Sequence, residues 1–126
     1  MASVLVVEDD AQQRAQIDRA LVQAGHQVEQ VSSGNQALER LKERRFDLVI
    51  TDLMMEEGTG FEVLEWVSRN APGLPVIVCS SYAKPENLKT FLPLHPYRIV
   101  RKPFRPDDLI GQVEGVLKDA GFRNQE

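Results

Sequence analysis

Five side chains carry the chemistry this sequence could perform: Glu8, Asp9, Asp52, Ser80 and Lys102. Each follows a short, largely apolar run: SVLVV before Glu8 and Asp9, LVIT before Asp52, VIVC before Ser80, IVR before Lys102. A carboxylate at the end of a buried run costs free energy unless something compensates it. Carboxylates that converge make this worse, since two like charges ~4 Å apart repel by about 4 kcal/mol at an effective dielectric near 20. They raise one another's pKa values or bind a cation. Lys102 supplies one positive charge and cannot neutralise three acids; a divalent ion together with the lysine can. Oxygen ligands with no histidine or thiol beside them favour Mg²⁺ over zinc. In such a notch the Asp52 carboxylate is a feasible nucleophile towards phosphorus, giving an acyl phosphate. The transferring phosphoryl group spreads its charge over three oxygens. Mg²⁺, Lys102 and the Ser80 hydroxyl would then each hold one.

These residues can meet only if the elements carrying them are ordered for it. Ser3–Val7 reads as a strand covered on both faces. Ala11–Ala24 reads as a helix stopped by Gly25. Gln27–Val31 is more polar and alternating, as an edge strand is. Ser33-Gly34-Asn35-Gln36 has capping-box spacing and opens a helix carrying Ala37, Leu38 and Leu41. That helix runs out in Lys42-Glu43-Arg44-Arg45, where cations suit the helix dipole. Leu48–Thr51 is the next strand, and Thr59-Gly60-Phe61-Glu62 a second capping box, with Phe61, Leu64 and Val67 facing inward. Val76–Cys79 is a strand, and Pro85 opens a short helix through about Leu92. Ile99–Arg101 is the last strand, and Pro106 starts a helix with Leu109, Val113, Val116 and Leu117 on one stripe. A strand–helix unit repeated five times is an α/β pattern, a doubly wound parallel sheet with helices on both faces. Right-handed crossovers leave few topologies. Ligands bind such sheets beyond the C-terminal strand ends, which is where the five residues lie.

The stretches VLVVEDD, FDLVITDLMM, PVIVCSS and VRKPF, in this order and at these spacings, resemble the receiver domain of bacterial two-component response regulators, CheY-like domains. The resemblance covers nearly the whole chain, residues 1–121, with 122–126 left as a polar tail. It implies a flavodoxin-like sheet of order 2-1-3-4-5. It implies that Asp52 is the phosphoacceptor, fed by a sensor histidine kinase or phosphotransfer protein. Mg²⁺ would be held by Asp9, by Glu8 directly or through water, by Asp52 and by the backbone carbonyl of Met54. Ser80 would swing to the phosphoryl group, Lys102 would pair with its oxygens, and the Lys102–Pro103 peptide would be cis. Met54 and Tyr82 occupy the positions that tune dephosphorylation; both are bulky and poor at positioning water, so slow phosphoryl loss is expected. The chain departs from the family where Glu56 replaces a proline. It also carries Ile99 where an aromatic switch residue is usual, so signalling around residues 82–99 is expected to use backbone shifts or Tyr97.

The composition, 42% hydrophobic and 27% charged over 126 residues, suits one globular domain with an ordinary core. The net charge of −4 disfavours direct nucleic-acid binding, and no apolar run approaches a membrane span. The single cysteine, Cys79, suits a reducing compartment and reads as a buried core thiol; the expected location is cytoplasmic. Asp10 reads as a helix N-cap, His26 and His95 as surface residues, and Trp66 as partly exposed. Arg98, Arg101, Lys102 and Arg105 read as solvated charge. The expected function is a phosphorylation-controlled switch, not an enzyme, acting on a downstream protein or output domain as a monomer or phosphorylation-dependent homodimer. Two alternatives remain open: a Mg²⁺-dependent aspartyl-phosphate phosphatase, and a constitutive binding module with an unused site.

Overall fold

The computed structural model describes residues 2–52, 60–80 and 97–121, with the side chains of Ser80 and Tyr97 excepted. Five parallel strands form one sheet: β1 (Ser3–Val7), β2 (Gln27–Val31), β3 (Leu48–Asp52), β4 (Val76–Ser80) and β5 (Tyr97–Arg101). Their order is β2-β1-β3-β4-β5, as the resemblance implied. Among the described residues there are four helices: α1 (Ala11–Gln23), α2 (Gly34–Glu43), α3 (Gly60–Asn70) and α4 (Pro106–Asp119). The expected helix over Pro85–Leu92 lies outside the described residues, as do Thr59 of the second capping box, His95 and the tail.

Period-two alternation divides the strand side chains between two cores. Leu5, Val7, Val49, Val76 and Val78 pack with α2 and α3 through Ala37, Leu41, Val63, Leu64 and Val67. Val4, Val6, Leu48, Ile50, Ile77 and Cys79 pack with α1 and α4 through Ile17, Leu21, Leu109, Val113 and Leu117. Because both faces are covered, the central strands are apolar through their middles, with polar residues at their ends: Ser3 in β1, Thr51 and Asp52 in β3, Ser80 in β4. In β2 only Val31 is buried, as expected of an edge. On α3, Val63 takes the fully buried place and Phe61 is only partly covered, a shift of the inward stripe from the expected one.

Local chemistry sets the helix ends. Asp10 caps α1, its carboxylate accepting from the backbone N–H groups of Gln12 (2.9 Å) and Gln13 (3.0 Å). Gly25, at φ +94°, takes the left-handed conformation that follows α1. Ser33 caps α2 by accepting the Gln36 N–H at 3.1 Å, but the Gln36 side chain reaches past it to the Ser32 N–H at 2.8 Å, so the expected capping box is offset by one residue. Pro106 begins α4, with Asp107 and Asp108 in its first turn. Arg44, expected to serve the dipole of α2, turns instead with Arg40 onto Glu29 of the edge strand, and the Arg40 hydrogen bond holds that carboxyl below its usual range.

His26 is not a surface residue. It is 9% exposed at the start of β2, where its Nδ1 accepts the Ala2 N–H at 3.2 Å and its Nε2 meets Glu114 Oε1 at 3.1 Å. An imidazole can be buried when both ring nitrogens find partners. Those partners lie 24 and 88 residues away, so no local pattern announces them.

Candidate phosphoacceptor and metal site

The strand order reverses at β1: the chain leaves it for β2 on one side and returns to β3 on the other, which opens a crevice above the β1 and β3 ends. Register then brings the acids together. Val7 is level with Thr51, so Glu8 just past β1 stands beside Asp52, the last residue of β3. By strand parity Glu8 follows Val4 and Val6, Asp52 follows Leu48 and Ile50, and Lys102 follows Val100; all three continue the face that packs on α1 and α4. Asp52 is level with Cys79 and Cys79 with Val100, so Lys102 starts two residues further along and two strands away from Asp52. Strands lie about 4.8 Å apart, so the two side chains reach across about 10 Å, which the long lysine stem and the aspartate cover together.

Lys102 Nζ donates to Asp52 Oδ2 at 2.8 Å and to Glu8 Oε1 at 2.7 Å. The Glu8 side chain is 2% exposed, against 14% for Lys102 and 15% for Asp52. Burial pushes the Glu8 carboxyl above its ordinary range, and the Lys102 hydrogen bond opposes this without cancelling it; the charge of Asp52 adds the least. Mutual repulsion among the acids, the cause expected from the sequence, is outweighed by desolvation. Burial alone would lower Lys102, but its bonds to Asp52 and Glu8 more than offset this and hold the ammonium above its ordinary value.

Oxygens of Glu8, Asp9 and Asp52 all lie within 4.8 Å of one another. This donor set is oxygen-only and fits a hard divalent cation. Asp9 is exposed at the mouth, and Glu8 Oε2 already accepts the Asp10 N–H at 3.1 Å. Cys79 sits below the site, 1% exposed, with burial pushing its thiol up to about 12; it is a core residue and offers no thiolate. The Ser80 backbone ends β4, level with Arg101, while its side chain lies outside the described residues. Met54 and Tyr82 also lie outside them. The Lys102–Pro103 peptide is cis, as expected.

Two contributors were missed from the sequence. Thr51, fully buried, donates its hydroxyl to the Asp52 carbonyl at 2.9 Å. Arg14 donates its guanidinium to the Glu8 carbonyl at 2.8 Å. A hydroxyl within a strand and an arginine on a helix look ordinary; only the fold shows what they touch. Of the expected basic cluster, Arg98 is exposed, as expected, and pairs at the surface with Asp119 and approaches Gln112 on α4.

Comparison with known proteins agrees with this geometry. The model of the response regulator receiver domain matches residues 4–114. The response regulator receiver protein CpdR of Brucella abortus is 31% identical over 118 residues, 93% of this chain and 98% of that protein. The transcriptional regulatory protein ZraR of Escherichia coli is 32% identical over 114 residues, which cover 90% of this chain but 26% of that longer protein. The chemotaxis response regulator CheY4 of Vibrio cholerae superposes with a TM-score of 0.86 at 30% identity, covering 92% of this chain and 98% of that one. Sheet order, crevice and family match together make this chain a member of the response regulator receiver domain family, the signal-transducing module of two-component systems.

Proposed function

We propose that Asp52 accepts a phosphoryl group from a phosphohistidine of a sensor kinase or phosphotransfer protein, and that the resulting acyl phosphate switches the surface offered to a downstream partner or output domain. The observation that carries this reading is the lysine bridge: one ammonium holds both Asp52 and the buried Glu8, with Asp9 completing a three-carboxylate notch. An Asp52 oxygen attacks phosphorus, the phosphorus–nitrogen bond breaks, and the imidazole leaves with its electron pair and regains a proton from water. Lys102, already within 2.8 Å of Asp52, pairs with a phosphoryl oxygen as charge builds, and the Ser80 hydroxyl takes a second. A Mg²⁺ ion in the notch would neutralise the remaining charge. Asp9, Asp52 and the Met54 carbonyl are its direct ligands in this reading. Both Glu8 oxygens already accept hydrogen bonds, which supports a role for Glu8 through water.

The receiver unit in this reading is residues 1–121, followed by the tail 122–126. Met54 and Tyr82 slow phosphoryl loss, and output passes through the segment that Ser80 opens and Tyr97 closes. Among the described residues no helix is long and apolar enough to cross a membrane. A cytoplasmic location follows from the proposed kinase partner.

Incubation with Mg²⁺ and a small acyl-phosphate donor, followed by intact-mass measurement, tests the reading. The wild type should gain one phosphoryl group and Asp52→Asn none. A folded wild type that gains nothing would leave only a binding module, and turnover of a generic phosphoester would favour a phosphatase.

A further inference from the structure

We infer that Arg14 is a positioning residue for the metal notch: by fixing the Glu8 carbonyl, it sets the direction in which Asp9 presents its carboxylate. This rests on the metal site proposed above. Asp9 is exposed, and no hydrogen bond or ion pair to its side chain occurs among the described residues. Its aim therefore depends on the two peptide planes that flank it. The plane after it is held by the Asp10 N–H, which donates to Glu8 Oε2 at 3.1 Å. The plane before it contains the Glu8 carbonyl and the Asp9 N–H, and Arg14 Nη1 holds that carbonyl at 2.8 Å. Glu8 itself is anchored upstream, its N–H donating to the Val31 carbonyl at 3.1 Å. With Arg14 in place, the turn from Glu8 to Asp10 is fixed on both sides of the metal ligand. Without it the Glu8–Asp9 peptide is free to rotate, and a flexible ligand costs affinity on binding.

The placement of Arg14 runs against local preference. It stands four residues after the Asp10 cap, near the N-terminus of α1, where a cation opposes the helix dipole, and the first turn of α1 carries no acid. Residues that break a local rule are expected where a site needs them. The donor is also aimed at a main-chain oxygen, so the contact is one of geometry and not of charge pairing.

Two substitutions separate geometry from charge. Arg14→Gln keeps a hydrogen-bond donor and loses the charge; Arg14→Ala loses both. Removing a cation near a Mg²⁺ site by itself strengthens Mg²⁺ binding, whereas losing the support of a ligand weakens it by about tenfold or more. Mg²⁺ affinity is measured by calorimetry, and the amide exchange of Asp9 and Asp10 is measured in the metal-free protein. Arg14→Ala should bind Mg²⁺ about tenfold more weakly and exchange these amides faster, and Arg14→Gln should recover most of the affinity. Unchanged or tighter binding by Arg14→Ala, or equal weakening in both variants, overturns the inference. A merely structural role would lower the melting temperature and leave Mg²⁺ affinity where it was, and that result also overturns it. If the wild type itself binds no Mg²⁺, the proposed site fails first, and Arg14 then has no ligand to position.

Discussion

Replacing Lys102 by methionine keeps the stem and removes a cation that Glu8 and Asp52 share. Each contact, at 2.7 and 2.8 Å, is worth about 6 kcal/mol of gross attraction at an effective dielectric near 20. Desolvation of three charged groups offsets most of this, and deleting one partner of a buried pair costs about 3–5 kcal/mol. Asp52 keeps 15% of its side-chain surface in water, so the low end applies, about 3 kcal/mol at pH ~8 without divalent ions. For a domain of this size that lowers the melting temperature by roughly 12 °C. The pH dependence has a definite sign. Burial raises Glu8, so the folded protein holds that proton at pH values where the unfolded chain has released it, and stability falls as pH rises from the ordinary carboxylate range through the raised folded value. Without Lys102 the opposing hydrogen bond is gone, Glu8 rises further, and this window extends upward. The gap between Lys102→Met and wild type should therefore narrow as pH falls from about 8 towards about 5. Saturating Mg²⁺ should stabilise the variant more than the wild type, because the ion replaces the missing charge. Urea denaturation across this pH range, with and without Mg²⁺, gives all three quantities. A variant as stable as wild type at pH ~8 without metal, or a gap that does not change with pH, refutes the reasoning.

Cys79 in the folded protein should resist alkylation near neutral pH, since its thiol titrates at about 12; a rate above that of global unfolding would show a more open site than the structure has. Ser33→Ala removes the cap of α2 and should cost about 1 kcal/mol in chemical denaturation, with no change meaning that Gln36 and Ser32 suffice. Leu109→Ala, at a fully buried position of α4, should cost about 2–5 kcal/mol by the same assay. His26→Leu strands the Ala2 N–H and should cost about 1–3 kcal/mol; a neutral result would show that water replaces the ring.

The sequence by itself determined the elements seen among the described residues and the identity of the acids, because both are local. Apolar runs such as SVLVV and LVIT have the length and continuity of covered strands, Gly25 and Pro106 mark helix ends, and Asp10 caps the helix it precedes. The placement of Glu8, Asp9, Asp52 and Lys102 at the C-terminal ends of strands was legible for the same reason, although β3 runs one residue further than expected and includes Asp52. The sheet order was not derivable from these patterns and came from resemblance to a family. What only the tertiary structure decided was proximity and its consequences. Parity and register put Glu8 and Lys102 on the face of Asp52, and desolvation of Glu8 then outweighs the repulsion that a list of charges would emphasise. The burial of His26 and the contacts of Thr51 and Arg14 escaped notice because a hydrogen bond depends on where a donor points, and that direction is set by the packing of the folded chain. Periodicity records which side of an element meets the core; it carries no record of which polar atom waits there.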